Sequence, residues 1–201
     1  GYTVQASAPL SAPMVNAPTI VTTITVGTGD AGSGPEGVGV DPATNRIFVA
    51  NTRENKIYIV DGTNNTITTT LSGANIASPY GVAVDATNRR VYVTQRGLNT
   101  ILVINADTLA VESSIPLATA SPGASEPHGI VVNPATNRAY VAMLIGGGYV
   151  YVVNTDTGQI VATPKSIDSL VYWLALDADR NKVYLTHYFK PEGAWAGVLD
   201  T

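Results

Sequence analysis

The sequence predicts an all-β protein, a β-propeller with four recognisable four-stranded blades. Two observations predict it. One phrase recurs as "GVGVDPATNRIFVAN", "GVAVDATNRRVYVTQ", "GIVVNPATNRAYVAM" and "WLALDADRNKVYLTH", with its basic residues Arg46, Arg90, Arg138 and Lys182 spaced 44, 48 and 44 apart. Each unit also holds short apolar runs divided by polar turns, and a period in the forties with four strands is the pattern of a propeller blade.

The elements follow in chain order. Residues 1–18 are rich in Ala, Pro and Ser and read as a linker. Residues 19–27, "TIVTTITVG", read as a lone strand of Thr, Val and Ile. The propeller domain is expected over 19–201, with blades at about 35–72, 79–116, 127–164 and 171–201. Each unit opens with an inner strand such as "GVAVD" and an Asn-rich turn such as "PATN", where Asp and Asn satisfy tight backbone. The second and third strands, such as "RVYVT" and "YVYVVN", are apolar without strict alternation, as expected of a sheet covered on both faces. The closing strands "TITTTL", "AVESSI" and "QIVATP" are more polar, as a partly exposed edge should be.

The fourth unit stops at "AGVLDT" without a closing strand. Residues 19–27 are therefore predicted to complete the last blade, within their own chain or in another copy. Three arrangements stay open: a four-bladed ring closed on itself, self-association by trading this strand, and a piece of a longer propeller.

Composition narrows the function. Charged residues are only 13%, about half the usual share. The net charge of -4 lacks the basic footprint of a nucleic-acid binder, and no apolar run is long enough for a membrane helix. With no cysteine, disulfides, thiolate catalysis and Cys-ligated metals are excluded. The first 18 residues lack the charged and apolar regions of an intact signal peptide and resemble the linker of a processed secreted chain. The expected location is extracellular, periplasmic or at the cell surface.

"RVYVTQRGLNTILVINADTLAVESSI", "DPATNRIFVAN" and "NPATNRAYVAM" resemble the YVTN family of propeller repeats, widespread in secreted and surface-layer proteins of bacteria and archaea. The likeness runs over residues 35–201. It implies a WD-like repeat scaffold and says little about activity. Such propellers usually have seven blades, whereas four units are present here.

Candidate site residues fall on the loop face, which varies between units while the turn face repeats. The entry residues Glu36, Tyr80, His128 and Tyr172 align, as do Asn51, Gln95, Met143 and His187 at the ends of the second strands. Arg53, Arg96, Tyr188 and Trp195 follow on the same loops. Tyr80, Tyr172 and Trp195 suggest an aromatic floor for sugar or peptide, with packing around the channel as the plain alternative. Glu36, His128 and His187 are the candidates for acid–base chemistry or for a divalent metal, although two histidines without tight spacing make a poor ligand set. No cofactor is expected. "GGGY" at 146–149 has no helix after it and is no phosphate loop. Asn64 begins an "NNT" acceptor triplet of a kind common by chance in an Asn- and Thr-rich chain.

The leading expectation is a secreted or surface module that binds a protein or polysaccharide partner through its loop face or strand edge. The alternative is a propeller enzyme, since lactonases and virginiamycin-type lyases use broadly similar blades, but that likeness is one of fold alone.

Overall fold

The computed structural model describes residues 20–28, 34–117, 125–146, 148–162, 165–166, 170–188 and 196–201, with backbone alone at 165–166 and 187–188. Its regular structure is β, apart from one 3-10 turn at Pro134–Thr136. Blade 1 contains β1 (Pro35–Asp41), β2 (Arg46–Asn51), β3 (Lys56–Asp61) and β4 (Thr66–Leu71). Blade 2 contains β5 (Pro79–Asp85), β6 (Arg90–Gln95), β7 (Thr100–Asn105) and β8 (Val111–Pro116). Blade 3 contains β9 (Ser125–Asn133), β10 (Arg138–Ile145), β11 (Tyr149–Asn154) and β12 (Lys165–Ser166). Blade 4 contains β13 (Leu170–Asp177), β14 (Lys182–Tyr188) and β15 (Ala196–Asp200). Every blade is an antiparallel meander in which neighbours in sequence are neighbours in the sheet.

The turns explain the repeated Asp and Asn. Asp41 accepts the Ala43 amide at 3.1 Å and the Thr44 hydroxyl at 2.6 Å, Asp85 accepts the Asn88 amide, Asn133 the Ala135 amide and Asp177 the Arg180 amide. The residue ending each turn is left-handed: Asn45, Arg89, Asn137 and Asn181 have φ between 51° and 55°. Asn tolerates that backbone better than most residues.

Blades stack through their faces. Phe48, Ile57 and Ile59 of blade 1 meet Val91, Val93, Leu102 and Ile104 of blade 2 in one buried layer. Tyr92, Ile101 and Val103 meet Val141, Tyr151 and Val153 in the next. Tyr140, Ala142 and Val150 meet Val183 and Leu185 in the third. Burying each such side chain contributes roughly 1.5–3 kcal/mol. The inner strands β1, β5, β9 and β13 pack in sequence, each against the next.

At those contacts the backbones come very close. A Cβ on Gly37 would lie 2.0 Å from the Tyr80 carbonyl oxygen, one on Gly81 2.3 Å from that of His128, and one on Gly129 2.6 Å from that of Tyr172. Only glycine fits. The Thr94 hydroxyl adds a staple across blades 2 and 3, accepting from the Gly81 amide at 2.7 Å and donating to the His128 carbonyl at 2.6 Å.

Two segments carry less strand among the described residues than the sequence suggests. Among the described residues, 20–26 contain no strand, and β15 is the outermost strand of a three-stranded sheet. The Thr28 amide is bonded to Glu54 of blade 1 at 2.8 Å, and Ile20 and Val21 are exposed. Second, among the described residues of the predicted outer strand "QIVATP", 159–162 hold a single bridge, Val153 to Ile160, and β12 begins at Lys165. Gly158, at φ 69°, immediately precedes the run.

Among the described residues, no packing comparable to the three blade interfaces joins blade 4 to blade 1. Blade 4 leaves Tyr184 and Val198 exposed, and blade 1 leaves Val38 and Val40 exposed. Among the described residues the blades pack in a row from 1 to 4.

Candidate functional site

Three of the four inner strands bring their entry residues together on the loop face. Tyr80 leads β5, His128 lies in β9, and Tyr172 and Trp173 lie in β13. The rings of Tyr80 and His128 are 4.3 Å apart, those of His128 and Tyr172 5.3 Å and edge-on, and those of Tyr80 and Trp173 6.0 Å with planes inclined by 32°. Three blades thus contribute to one aromatic cluster.

His128 is the buried centre, with only 2% of its surface exposed. Its Nδ1 lies 3.0 Å from the Glu126 carbonyl oxygen. A carbonyl only accepts, so Nδ1 carries the hydrogen in the neutral ring and Nε2 keeps its lone pair. Burial pushes the imidazole below its ordinary pKa, against a smaller opposing effect of the Glu126 carbonyl.

Arg96 and Glu126 flank the cluster. They form an ion pair, and the Arg96 guanidinium carbon stands 5.3 Å from the Tyr80 ring centre, a cation–π arrangement. Burial is the main cause that raises the Tyr80 phenol, followed by the Glu36 charge, while Arg96 opposes both. A cleft of about 260 Å³ opens beside them, lined by Thr52, Ser78, Arg96, Gly97 and Glu126. Ser78 precedes the proline that opens β5, Glu126 precedes Pro127 near the start of β9, and both are left-handed, with φ of 47° and 58°. Such backbone costs a non-glycine residue roughly 1–2 kcal/mol.

The other predicted site residues have distinct places. Glu36 is exposed at the head of β1, and Arg53 is exposed with its side chain against Gly34. Asn51 and Gln95 are wholly buried and hold loop backbone: Asn51 accepts the Glu54 amide at 3.1 Å, and Gln95 accepts the Ala77 amide at 3.0 Å. The backbones of His187 and Tyr188 pair with Val171 and Leu170, their side chains lie outside the described residues, and so does all of Trp195. Among the described residues no group of three His, Asp or Glu is placed to hold a metal.

Two contributors were missed by the sequence reading, Trp173 and Glu126. Trp173 was visible as the break in the column Gly37, Gly81, Gly129. Glu126 had no signal, because its pairing with Arg96 spans two blades and 30 residues.

The fold recurs among solved structures. Hydrazine synthase from Kuenenia stuttgartiensis matches with a TM-score of 0.72 and 16% identity, over 91% of this chain and 49% of that one. A chain of the nidogen/laminin complex matches with a TM-score of 0.65 and 19% identity, over 84% of this chain and 61% of that one. The chain therefore spans about half to three-fifths of the structures it resembles. No family model matches it, and no curated protein is similar to it. With the blade topology, these likenesses define a β-propeller protein.

Proposed function

We propose that this propeller is a binding module, of the kind built from YVTN-type repeats in secreted and surface proteins, and that it holds its partner at the loop face around Tyr80, Arg96 and Trp173. The observation that carries the reading is the convergence of aromatic side chains from three blades beside a polar cleft and a fixed ion pair. Pockets of this kind combine aromatic walls with a few placed polar groups. The reading as an acid–base enzyme has less support, since the His128 ring is buried between Tyr80 and Tyr172 with one nitrogen already bonded.

The test is to probe peptide and glycan arrays with the parent chain and with a Tyr80→Ala, Arg96→Ala double variant. Ligands held by the parent and lost by the folded variant support the reading. No ligand, or ligands held equally by both, overturns it.

A further inference from the structure

Trp173 occupies the place that is glycine in the other three blades. There the next blade leaves no room for a Cβ, whereas Trp173 is 44% exposed and sends its indole to within 6.0 Å of the Tyr80 ring, two blades away. Tyr80 is held from its other neighbours by His128 at 4.3 Å and by Arg96. The result is a pair of inclined aromatic rings with an open approach. Arg96 belongs both to this wall and to the adjoining cleft of about 260 Å³. The two left-handed non-glycine residues of the entry loops, Ser78 and Glu126, line that same cleft. Strained backbone held at one spot is a mark of a working site.

We propose that Trp173 and Tyr80 form the stacking wall, and Arg96 with Glu126 the polar floor, of a binding site for a neutral oligosaccharide. This rests on the loop-face reading above and names its ligand class. A pyranose ring has an apolar face of C–H groups that stacks on an aromatic ring, and a rim of hydroxyls that donate and accept. The wall meets the first and the cleft the second: a guanidinium offers donors, a carboxylate offers acceptors, and Thr52 and Ser78 add hydroxyls. Arg96 and Glu126 already neutralise one another, so neither an anionic nor a cationic ligand gains an unpaired charge there. The cleft also lacks a large apolar lining residue, which a peptide side chain would need as an anchor.

The experiment uses a Trp195→Phe background, so that fluorescence reports Trp173 alone, titrated with cellohexaose, chitohexaose and maltohexaose. A saturable change with at least one of them is expected. Calorimetry should show binding weakened about tenfold or more by Trp173→Gly, which installs the residue of the other blades, and only about threefold by Trp173→Phe, which keeps a ring. Glu126→Gln should weaken it about threefold to tenfold and replaces the glycine variant if that one melts early. Saccharide binding unchanged in these variants overturns the proposal. If no hexasaccharide binds but array peptides do so in a Tyr80-dependent way, the saccharide assignment fails and loop-face binding stands. If nothing binds, both fall.

Discussion

Asp41 and His128 are buried ionisable residues whose environments push both pKa values down, for opposite reasons. Asp41 receives two bonds from the Arg89 guanidinium, at 3.0 and 2.7 Å, which chiefly hold its carboxyl at about 2. Its folded value lies below the ordinary 3.8, so its contribution is complete above pH 4 and is lost as the pH falls towards 2. Arg89 is 26% exposed, and screening trims that contribution to about 1–2 kcal/mol. His128 is depressed mainly because burial opposes its charged form, so the folded state is strongest above the ordinary 6.5 and weakens as the pH falls below it. Urea melts between pH 8 and pH 2 should show two declines. His128→Phe should remove the part of the upper decline that belongs to this ring, and Asp41→Asn the part of the lower one that belongs to this carboxyl, leaving that of Glu54, Asp107, Glu112 and Asp177. A flat profile in the parent chain would contradict both assignments.

At the scale of strands, the glycine column sets the spacing of the blades. Replacing glycine by alanine within a strand normally helps by a few tenths of a kcal/mol to about 1 kcal/mol. Gly81→Ala should do the opposite, because its Cβ would stand 2.3 Å from the His128 carbonyl and 3.1 Å from the Thr94 hydroxyl. The expected loss is about 1–3 kcal/mol in a denaturant melt, and a gain would show that the blades can part without cost. These positions were legible in the sequence, since "PEG", "PYG" and "PHG" recur at the head of successive inner strands. So were the meander and the apolar layers, because a repeat reports the same packing three times. The site was legible only in part. Tyr80, His128 and Tyr172 follow from the alignment of the repeat, but the direction of Trp173 and the Arg96–Glu126 pair depend on how blades far apart in sequence face each other. The N-terminal segment shows the same limit: composition marks residues 20–26 as strand-like, but it does not carry the hydrogen bond of Thr28 to Glu54 in blade 1.

Across the whole molecule, three buried layers lie in a row, each belonging to one pair of blades. Blades 2 and 3 are covered on both faces, whereas blades 1 and 4 keep apolar residues such as Val38, Val40, Tyr184 and Val198 exposed. Stability in such a stack is close to a sum over neighbours, so opening should begin at the ends. Amide hydrogen exchange should be slowest in β6, β7 and β10 and fastest among strands in β13 to β15. Uniform protection through all four blades would show a single cooperative block instead.

The step from glycine to tryptophan at the end of the column bears on packing as well as on binding. Three successive contacts at backbone distance set how closely the inner strands approach. A fifth blade, from any source, would meet an indole at the place where its predecessors met bare backbone. It could not repeat the bare-backbone contact that Gly37, Gly81 and Gly129 allow, so its packing against β13 would differ from the three interfaces before it.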